Sequence, residues 1–165
     1  MPNWTDVYVQ IKHNDEGMLR QLHKILDDPN PFNRIKPMPE LVYRGNLGSA
    51  ERAKYGCANW YDWSVANWGT KWDIDGCSGL SIYEDDGELT LYVDMMTAWS
   101  PPIGVFDQLV SLGFDVKAQY LDEGWMYIGT YDNGEDTSWD DVDEAPNDLR
   151  DKFNLDEMEE FTNEQ

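Results

Sequence analysis

Few residues of this 165-residue chain have the types and spacing that catalysis requires. His13 and His23 have no serine or cysteine placed with them in a pattern that would form a triad, which needs three positioned partners. The stretch Gly76-Cys77-Ser78-Gly79 lacks the spacing of a nucleophile elbow. A phosphate-binding loop needs a lysine followed by a threonine or serine, whereas in Gly69-Thr70-Lys71 the threonine comes before the lysine. We therefore predict no catalytic residues and a protein that is not an enzyme.

One stretch begins like a calcium-binding loop. Asp73 and Asp75 open it, and Glu84 stands where the final bidentate glutamate would be. The sixth position is Ser78, where such a loop requires glycine, and the hydrophobic Leu80 falls inside it. The sequence therefore predicts no calcium site.

The two cysteines, Cys57 and Cys77, also point away from metal and disulfide chemistry. They are 20 residues apart, with no Cys-x-x-Cys spacing and no paired histidine, so zinc is not indicated. Two cysteines do not make a disulfide framework, which indicates a reducing cytoplasm. We predict neither a metal nor a cofactor.

Charge is the strongest compositional signal. The chain has 12 Lys+Arg against 33 Asp+Glu, a formal charge of −21, and residues 121–165 alone hold 16 acidic and 2 basic side chains. Such a chain repels phosphate backbones and anionic lipid at long range, so direct nucleic-acid binding is disfavoured. The acidic end is either a solvated tail or a surface that resembles something anionic. The sequence has no run of 18 apolar residues and no basic start followed by an apolar stretch, so we expect neither a membrane span nor a secretory signal.

Hydrophobic periodicity places the elements that must position any functional residues. Alternation with period two predicts strands, and stripes at helical spacing predict helices. The order strand, helix, two strands, helix, strand predicts an α+β protein of the ferredoxin-like βαββαβ type. The predicted core residues are Val7, Val9 and Ile11, then Met18, Leu22, Ile25 and Leu26, then Leu80, Ile82, Leu89, Leu91 and Val93, then Ile103, Phe106, Leu109 and Val110, and finally Val116, Ala118 and Tyr120.

Caps and turns set the predicted boundaries. Asn14 is the expected N-cap of the first helix, which Pro29 closes. Asp85-Asp86-Gly87 predicts a hairpin turn between the second and third strands. Ser100 is the expected N-cap of the second helix, and Gly113 its C-terminal stop.

Two regions fall outside this regular pattern. Within a domain spanning residues 1–131, residues of about 29–78 are rich in proline, glycine and large aromatics, which predicts an ordered insertion. A short helix over residues 50–54 or 61–67 would fit that insertion. Trp125–Ile128 is a candidate fifth strand, and residues 132–165 form an acidic appendage, docked or partly mobile.

The period of the strands puts Tyr8, Tyr83 and Tyr92 on the face opposite the helices, with Trp125 and Tyr127 as candidate neighbours. An open aromatic face could stack the bases of single-stranded nucleic acid. The basic residues that should accompany such a face are few, Lys12 and Lys117, and stacking without phosphate neutralisation binds weakly. We therefore favour a second core, in which the insertion or the appendage covers this face.

Four motifs of the chain resemble the YubB-type ferredoxin-like family of phage and plasmid proteins, formerly a domain of unknown function. They are Met1–Trp4, Pro37–Glu40, Trp60–Asp73 and Thr97–Pro102, and the resemblance extends over residues 1–131. It implies a ferredoxin-like fold and a home on mobile genetic elements, and brings no established activity or catalytic residue. The chain departs from the family after Trp4, where Thr5-Asp6-Val7 replaces a Cys-Ser-Asn type continuation.

The motif Asn67–Asp73 has two interpretations. As structure, its tryptophans wedge against the sheet, Gly69 makes a turn, and Lys71 and Asp73 tie the loop down. This interpretation is favoured, because loss of a buried tryptophan costs about 3–5 kcal/mol. As function, the motif and a later tryptophan line a ligand groove, whose candidate residues are Asn67, Trp68, Thr70, Lys71, Trp72 and Trp99.

We therefore expect a non-enzymatic phage or mobile-element protein in the host bacterial cytoplasm. Its partner would be a host protein with a basic surface, involved in nucleic-acid handling or defence, which it inhibits through an acidic surface that mimics DNA. The alternatives are single-stranded nucleic-acid binding on the aromatic face and an unrecognised enzyme in the Trp-rich insertion. The predicted contact residues are Asp132, Glu135, Asp136, Asp140, Asp141, Asp143 and Glu144.

Overall fold

The computed structural model describes residues 3–45 and 47–156 of the chain. It has an α+β architecture, as predicted, with helices packed against a six-stranded antiparallel sheet. The strands are β1 (Trp4–Lys12), β2 (Gly79–Asp85), β3 (Glu88–Ala98), β4 (Asp115–Asp122), β5 (Ile128–Asp132) and β6 (Glu135–Trp139). The helices are α1 (Glu16–Asp27), α2 (Pro31–Ile35), α3 (Glu40–Arg44), α4 (Ser49–Tyr55), α5 (Trp60–Asn67), α6 (Ile103–Ser111) and α7 (Asn147–Lys152), with a short 3-10 helix at Val142–Glu144.

The strands lie in the order β2-β3-β1-β4-β5-β6. Val9 in the central strand β1 pairs with Val93 and Ala118, whereas its neighbour Tyr8 pairs with Asp94 and Gln119. Successive side chains of a strand point to opposite faces, so these two sets lie on opposite sides of the sheet. We call the side of Val9 the helical face and the side of Tyr8 the tyrosine face.

The main core fills the helical face. Buried residues of α1 and α6, which include Leu22 and Phe106, pack against Val7, Val9 and Ile11 of β1. Both helices have the apolar stripes that the sequence predicts, because one turn of helix returns a side chain to the same face every three or four residues. The core therefore lies where the strand and helix periodicities meet.

Two predicted N-caps are wrong. The α1 cap is Asp15, one residue beyond Asn14, and its carboxylate accepts the backbone N–H of Gly17 at 2.8 Å. Ser100 does not cap α6, because its hydroxyl donates to the carbonyl of Gly69 at 2.5 Å and the following two prolines delay the helix to Ile103.

The hairpin between β2 and β3 turns where the sequence predicts. Asp86 and Gly87 have φ values of 51° and 79°, the left-handed conformations of a type I′ turn. That turn matches the twist of the flanking strands, so the register of β2 on β3 is fixed locally.

The insertion contains four short helices, α2 to α5. The expected helices near residues 50–54 and 61–67 are both present, as α4 and α5. The five-residue helices α2 and α3 were not predicted, because so short a segment shows no helical period.

The end of the sheet differs from prediction. Of the predicted strand Trp125–Ile128, the first three residues do not belong to a strand, since Trp125 has a φ of 60° and its N–H donates to the Asp122 carbonyl at 2.9 Å in a turn. Strand β5 starts only at Ile128, and β6 follows it. The sequence did not predict β6, because its residues are almost all polar. The sheet thus continues beyond residue 132, where the acidic appendage was expected to begin.

Among residues 3–45 and 47–156, no helix has the length and apolar character needed to cross a membrane.

Candidate functional site

The acidic C-terminal region is anchored on the tyrosine face by a second hydrophobic core. Leu121 and Ile128 from the sheet pack with Val142, Leu149 and Phe153, all 9% exposed or less. The Phe153 ring lies 5.4 Å from that of Tyr8. The interpretation that the appendage covers part of this face is therefore confirmed.

Ion pairs and a cap hold the acidic loop within this region. The Arg150 guanidinium lies 2.5 Å from the carboxylate of Asp156 and 3.6 Å from that of Asp143. The Asp141 carboxylate accepts the N–H of Asp143 at 2.9 Å and so begins the 3-10 helix. Asp141 and Asp143, both predicted to contact a partner, thus also have structural roles.

Asp132 and Asp136, two more of the predicted contact residues, also have partners within the chain. Asp136 accepts a hydrogen bond from the Tyr120 hydroxyl. Burial raises the pKa of Tyr120, and this carboxylate raises it further, so the phenol stays a donor. Asp132 accepts an N–H of Asn133 at 2.9 Å. Of the predicted contact residues, Glu135, Asp140 and Glu144 are exposed and have no hydrogen bond or ion pair from their carboxylates to a described residue.

Three residues of the predicted ligand groove are used internally. The Asn67 side chain donates to a carbonyl one turn earlier in α5, at 3.0 Å. The indole N–H of Trp68 donates to the Lys36 carbonyl at 2.8 Å. The hydroxyl of Thr70, which is fully buried, donates to the Ala98 carbonyl at 2.7 Å. These contacts support the structural interpretation of the motif.

The other three predicted groove residues form a cluster in which Lys71 and Trp72 are half-buried and Trp99 is exposed. The Lys71 ammonium lies 4.6 Å from the ring centre of Trp72 and 4.3 Å from that of Trp99, within cation–π distance of both. Trp99 has a φ of 73°. Its backbone N–H donates to the Asn3 carbonyl at 2.8 Å, and its carbonyl accepts the Tyr127 hydroxyl at 2.6 Å. The Lys71 side chain therefore holds the end of the insertion against the sheet.

An open groove of about 950 Å³ adjoins this cluster at Trp72. Trp68 and Trp72 line it, together with Trp60 and Tyr43, whereas Asn67, Thr70, Lys71 and Trp99 do not. The six predicted residues are thus not brought into one groove.

Asp73 ties the motif to α2. Its carboxylate accepts the backbone N–H groups of Phe32, Asn33 and Ile74 at 3.0, 2.8 and 2.8 Å. Burial raises the pKa of Asp73, and the three hydrogen bonds oppose that shift. The carboxylate thus does the anchoring that the structural interpretation assigned to it.

The tyrosine face is only partly open, because Trp125 packs against the second core. The prediction that Tyr127 lies on this face is wrong, since its ring packs on Tyr120 and the main core of the helical face. Tyr83 and Tyr92 are exposed, with ring centres 5.7 Å apart. A cavity of about 260 Å³ lies between Tyr92 and the appendage. Sequence reasoning missed Lys152 in its wall, because no local pattern brings α7 to the centre of the sheet.

No group of three or more His, Cys, Asp or Glu side chains in the described ranges could hold a metal ion. Comparisons with protein-family models, with curated proteins and with solved structures find no match to this chain.

Proposed function

We propose that this is a non-enzymatic protein that binds a basic surface of a partner protein through the acidic region formed by the β5–β6 hairpin and the segment that follows it. The observation that carries this proposal is the second core. Buried Leu149 and Phe153 fix the segment that carries Asp140 and Glu144 to the sheet, and Glu135 is held in β6 by its pairing with β5. These three exposed carboxylates are thus held on an ordered scaffold. A loose tail would have to be ordered on binding, at a cost in conformational entropy.

The electrostatics favour a basic partner. A chain of charge −21 attracts cationic surfaces at long range, which raises the association rate. Carboxylates on a rigid surface can occupy a cleft that otherwise holds phosphates. We propose that the partner is a nucleic-acid-handling or defence protein, which this chain inhibits by excluding its nucleic acid.

We further propose that the fold is ferredoxin-like, with β5 and β6 added at one edge. The support is the element order β1-α1-β2-β3-α6-β4 together with the strand order β2-β3-β1-β4. Both helices pack on one face, as in a two-layer α+β sandwich.

The resemblance of residues Trp60–Asp73 to proteins of mobile elements supports a source in a phage or plasmid and a site of action in the host bacterial cytoplasm. The acidic surface would then serve host takeover or escape from host defence.

Competition with DNA tests the proposal directly. Bacterial proteins retained on DNA-cellulose at low salt are eluted with the purified chain, and the released proteins are identified by mass spectrometry. We expect the wild type to release a defined subset. The triple variant E135Q/D140N/E144Q should need at least about tenfold more protein, since a loss of about 1.4 kcal/mol is a factor of ten.

The matched control is E84Q/D85N/D86N, which removes three exposed carboxylates at the opposite edge of the sheet. Both triple variants have the same net charge, so a purely non-specific effect would affect them equally. The proposal is wrong if the wild type releases no protein, or if the two variants elute the same proteins at the same concentration.

A further inference from the structure

The cavity on the tyrosine face has a floor built from four adjacent strands. Gln10 of β1 pairs with Tyr92 of β3 on one side and with Lys117 of β4 on the other. Lys117 pairs in turn with Asp132 of β5. Paired residues point to the same face, so these four side chains form one row across the sheet.

A second row lies two residues along each strand. Tyr8 pairs with Asp94 and Gln119, and Gln119 pairs with Thr130. These side chains line the same cavity of about 260 Å³ as the first row. The floor is therefore rigid, since every position on it is set by strand hydrogen bonds.

The appendage supplies the wall. The ammonium of Lys152, at the end of α7, lies 4.9 Å from the ring centre of Tyr8. Phe153 packs on the same ring. Docking of the appendage thus closes one side of the cavity and brings a cation over an aromatic ring.

The charges of the cavity differ from those of the rest of the molecule. Lys117 and Lys152 form no ion pair with a described residue, although carboxylates outnumber cations almost three to one in the chain. Asp94 and Asp132 stand at opposite ends of the two rows. The centre of the cavity can therefore accept one anionic group, whereas its ends repel further anions.

We propose that this cavity binds a free nucleoside monophosphate. The base would stack on the exposed ring of Tyr92, with Gln10 and Gln119 as amide donors and acceptors for its edge. The phosphate would lie with Lys117 and Lys152. Small-molecule pockets hold roughly 300–1,000 Å³. This open cavity, of about 260 Å³, lies just below that range and therefore suits a small ligand.

A single nucleotide fits these features better than a nucleic-acid strand. The α7 wall blocks one side, and a strand continuing across the sheet would bring its next phosphates to Asp94 or Asp132. The surrounding charge of −21 would oppose it further.

To test this inference, the full chain is titrated with each of the four ribonucleoside 5′-monophosphates. Isothermal calorimetry and the NMR shifts of residues on the tyrosine face measure the binding. We expect millimolar or tighter binding of at least one nucleotide, with shifts at Gln10, Lys117 and Thr130. Ribose 5-phosphate, which lacks the base, and adenosine, which lacks the phosphate, should each bind at least about tenfold more weakly.

K152Q and Y92S should each weaken binding about tenfold or more, whereas K24Q, at an exposed lysine of α1 outside the cavity, should bind as the wild type does. Circular dichroism checks that the variants remain folded.

The inference is overturned if none of the four nucleotides produces heat or shifts at millimolar concentration. It is also overturned if an oligonucleotide binds much more tightly than its mononucleotide, with a steep salt dependence, because the face would then be a strand-binding surface. Neither outcome bears on the acidic triple variant, so failure here is distinct from failure of the proposed function.

Discussion

The Trp-rich insertion and the acidic C-terminal region both cover parts of the same sheet, by different means. The insertion uses large rings and directed hydrogen bonds, such as those of Trp68 and Asp73. The C-terminal region uses a small aliphatic and aromatic core around Leu149, with charged groups left outside it. A segment can therefore be strongly acidic and still be ordered, provided that a few apolar residues at the right spacing reach the sheet.

We expect the insertion to contribute more to stability per residue than the acidic C-terminal region does. Trp68→Ala should lower the free energy of unfolding by about 3–5 kcal/mol, because it leaves a cavity and an unpaired Lys36 carbonyl. Urea denaturation followed by circular dichroism measures this loss. Trp60→Ala is the control, since that ring is 41% exposed, and it should cost much less. Equal losses of unfolding free energy in the two variants would mean that burial of the Trp68 ring and its hydrogen bond add nothing to stability.

Leu149→Ala should have the next largest effect, about 2–3 kcal/mol, at the low end for a buried leucine. The loss is limited because the appendage can detach while the main core stays folded. Hydrogen exchange should then accelerate in residues 142–153 and remain slow in β1. Leu112→Ala replaces a leucine that is 47% exposed, and it should change neither the unfolding free energy nor the exchange rates. Uniformly faster exchange through the sheet would show that the two cores unfold together.

Asp73→Asn probes the anchoring carboxylate of the insertion through pH. Because the folded pKa of Asp73 is raised above its ordinary 3.8, the folded state binds the proton more tightly. The contribution of this group to stability is thus greatest at low pH and is lost as the pH rises through the folded pKa. The difference in unfolding free energy between wild type and variant should change over this window, which urea titrations at several pH values would detect. A constant difference would contradict the raised pKa.

The smallest effect is expected for the exposed carboxylates. E135Q/D140N/E144Q should change the unfolding free energy by no more than about 0.5 kcal/mol per site, because these carboxylates are exposed and form no ion pair with a described residue. Asp141→Ala, which removes the cap of the 3-10 helix, should cost about 1 kcal/mol. Thermal unfolding compares the two. A large loss in the triple variant would mean that these carboxylates stabilise the fold and are not free to bind a partner.

Sequence periodicity was sufficient for the elements of the main core. Val7, Val9 and Ile11 alternate, and the stripe through Leu22 and Leu26 repeats at helical spacing, so each segment specifies its own buried side. The turn at Asp86 and Gly87 is equally local, since it needs only residues that tolerate a positive φ. The two tryptophan interpretations could be stated from the sequence, but not decided, because the acceptor for the Trp68 indole lies 32 residues away.

The sequence by itself determined the α+β class, the identity of the two faces of the sheet and the concentration of charge near the end of the chain. Only the tertiary structure decided that β6 extends the sheet, that Phe153 covers Tyr8, and that Lys152 reaches the cavity beside Tyr92. The physical reason is range. Dihedral preferences and periodicity act over a few residues, whereas Phe153 and Lys152 lie more than 140 residues from Tyr8, and their contacts with it form because the sheet brings distant strands into register. Strand β6 pairs with the adjacent β5 and escapes prediction for another reason, its polar composition.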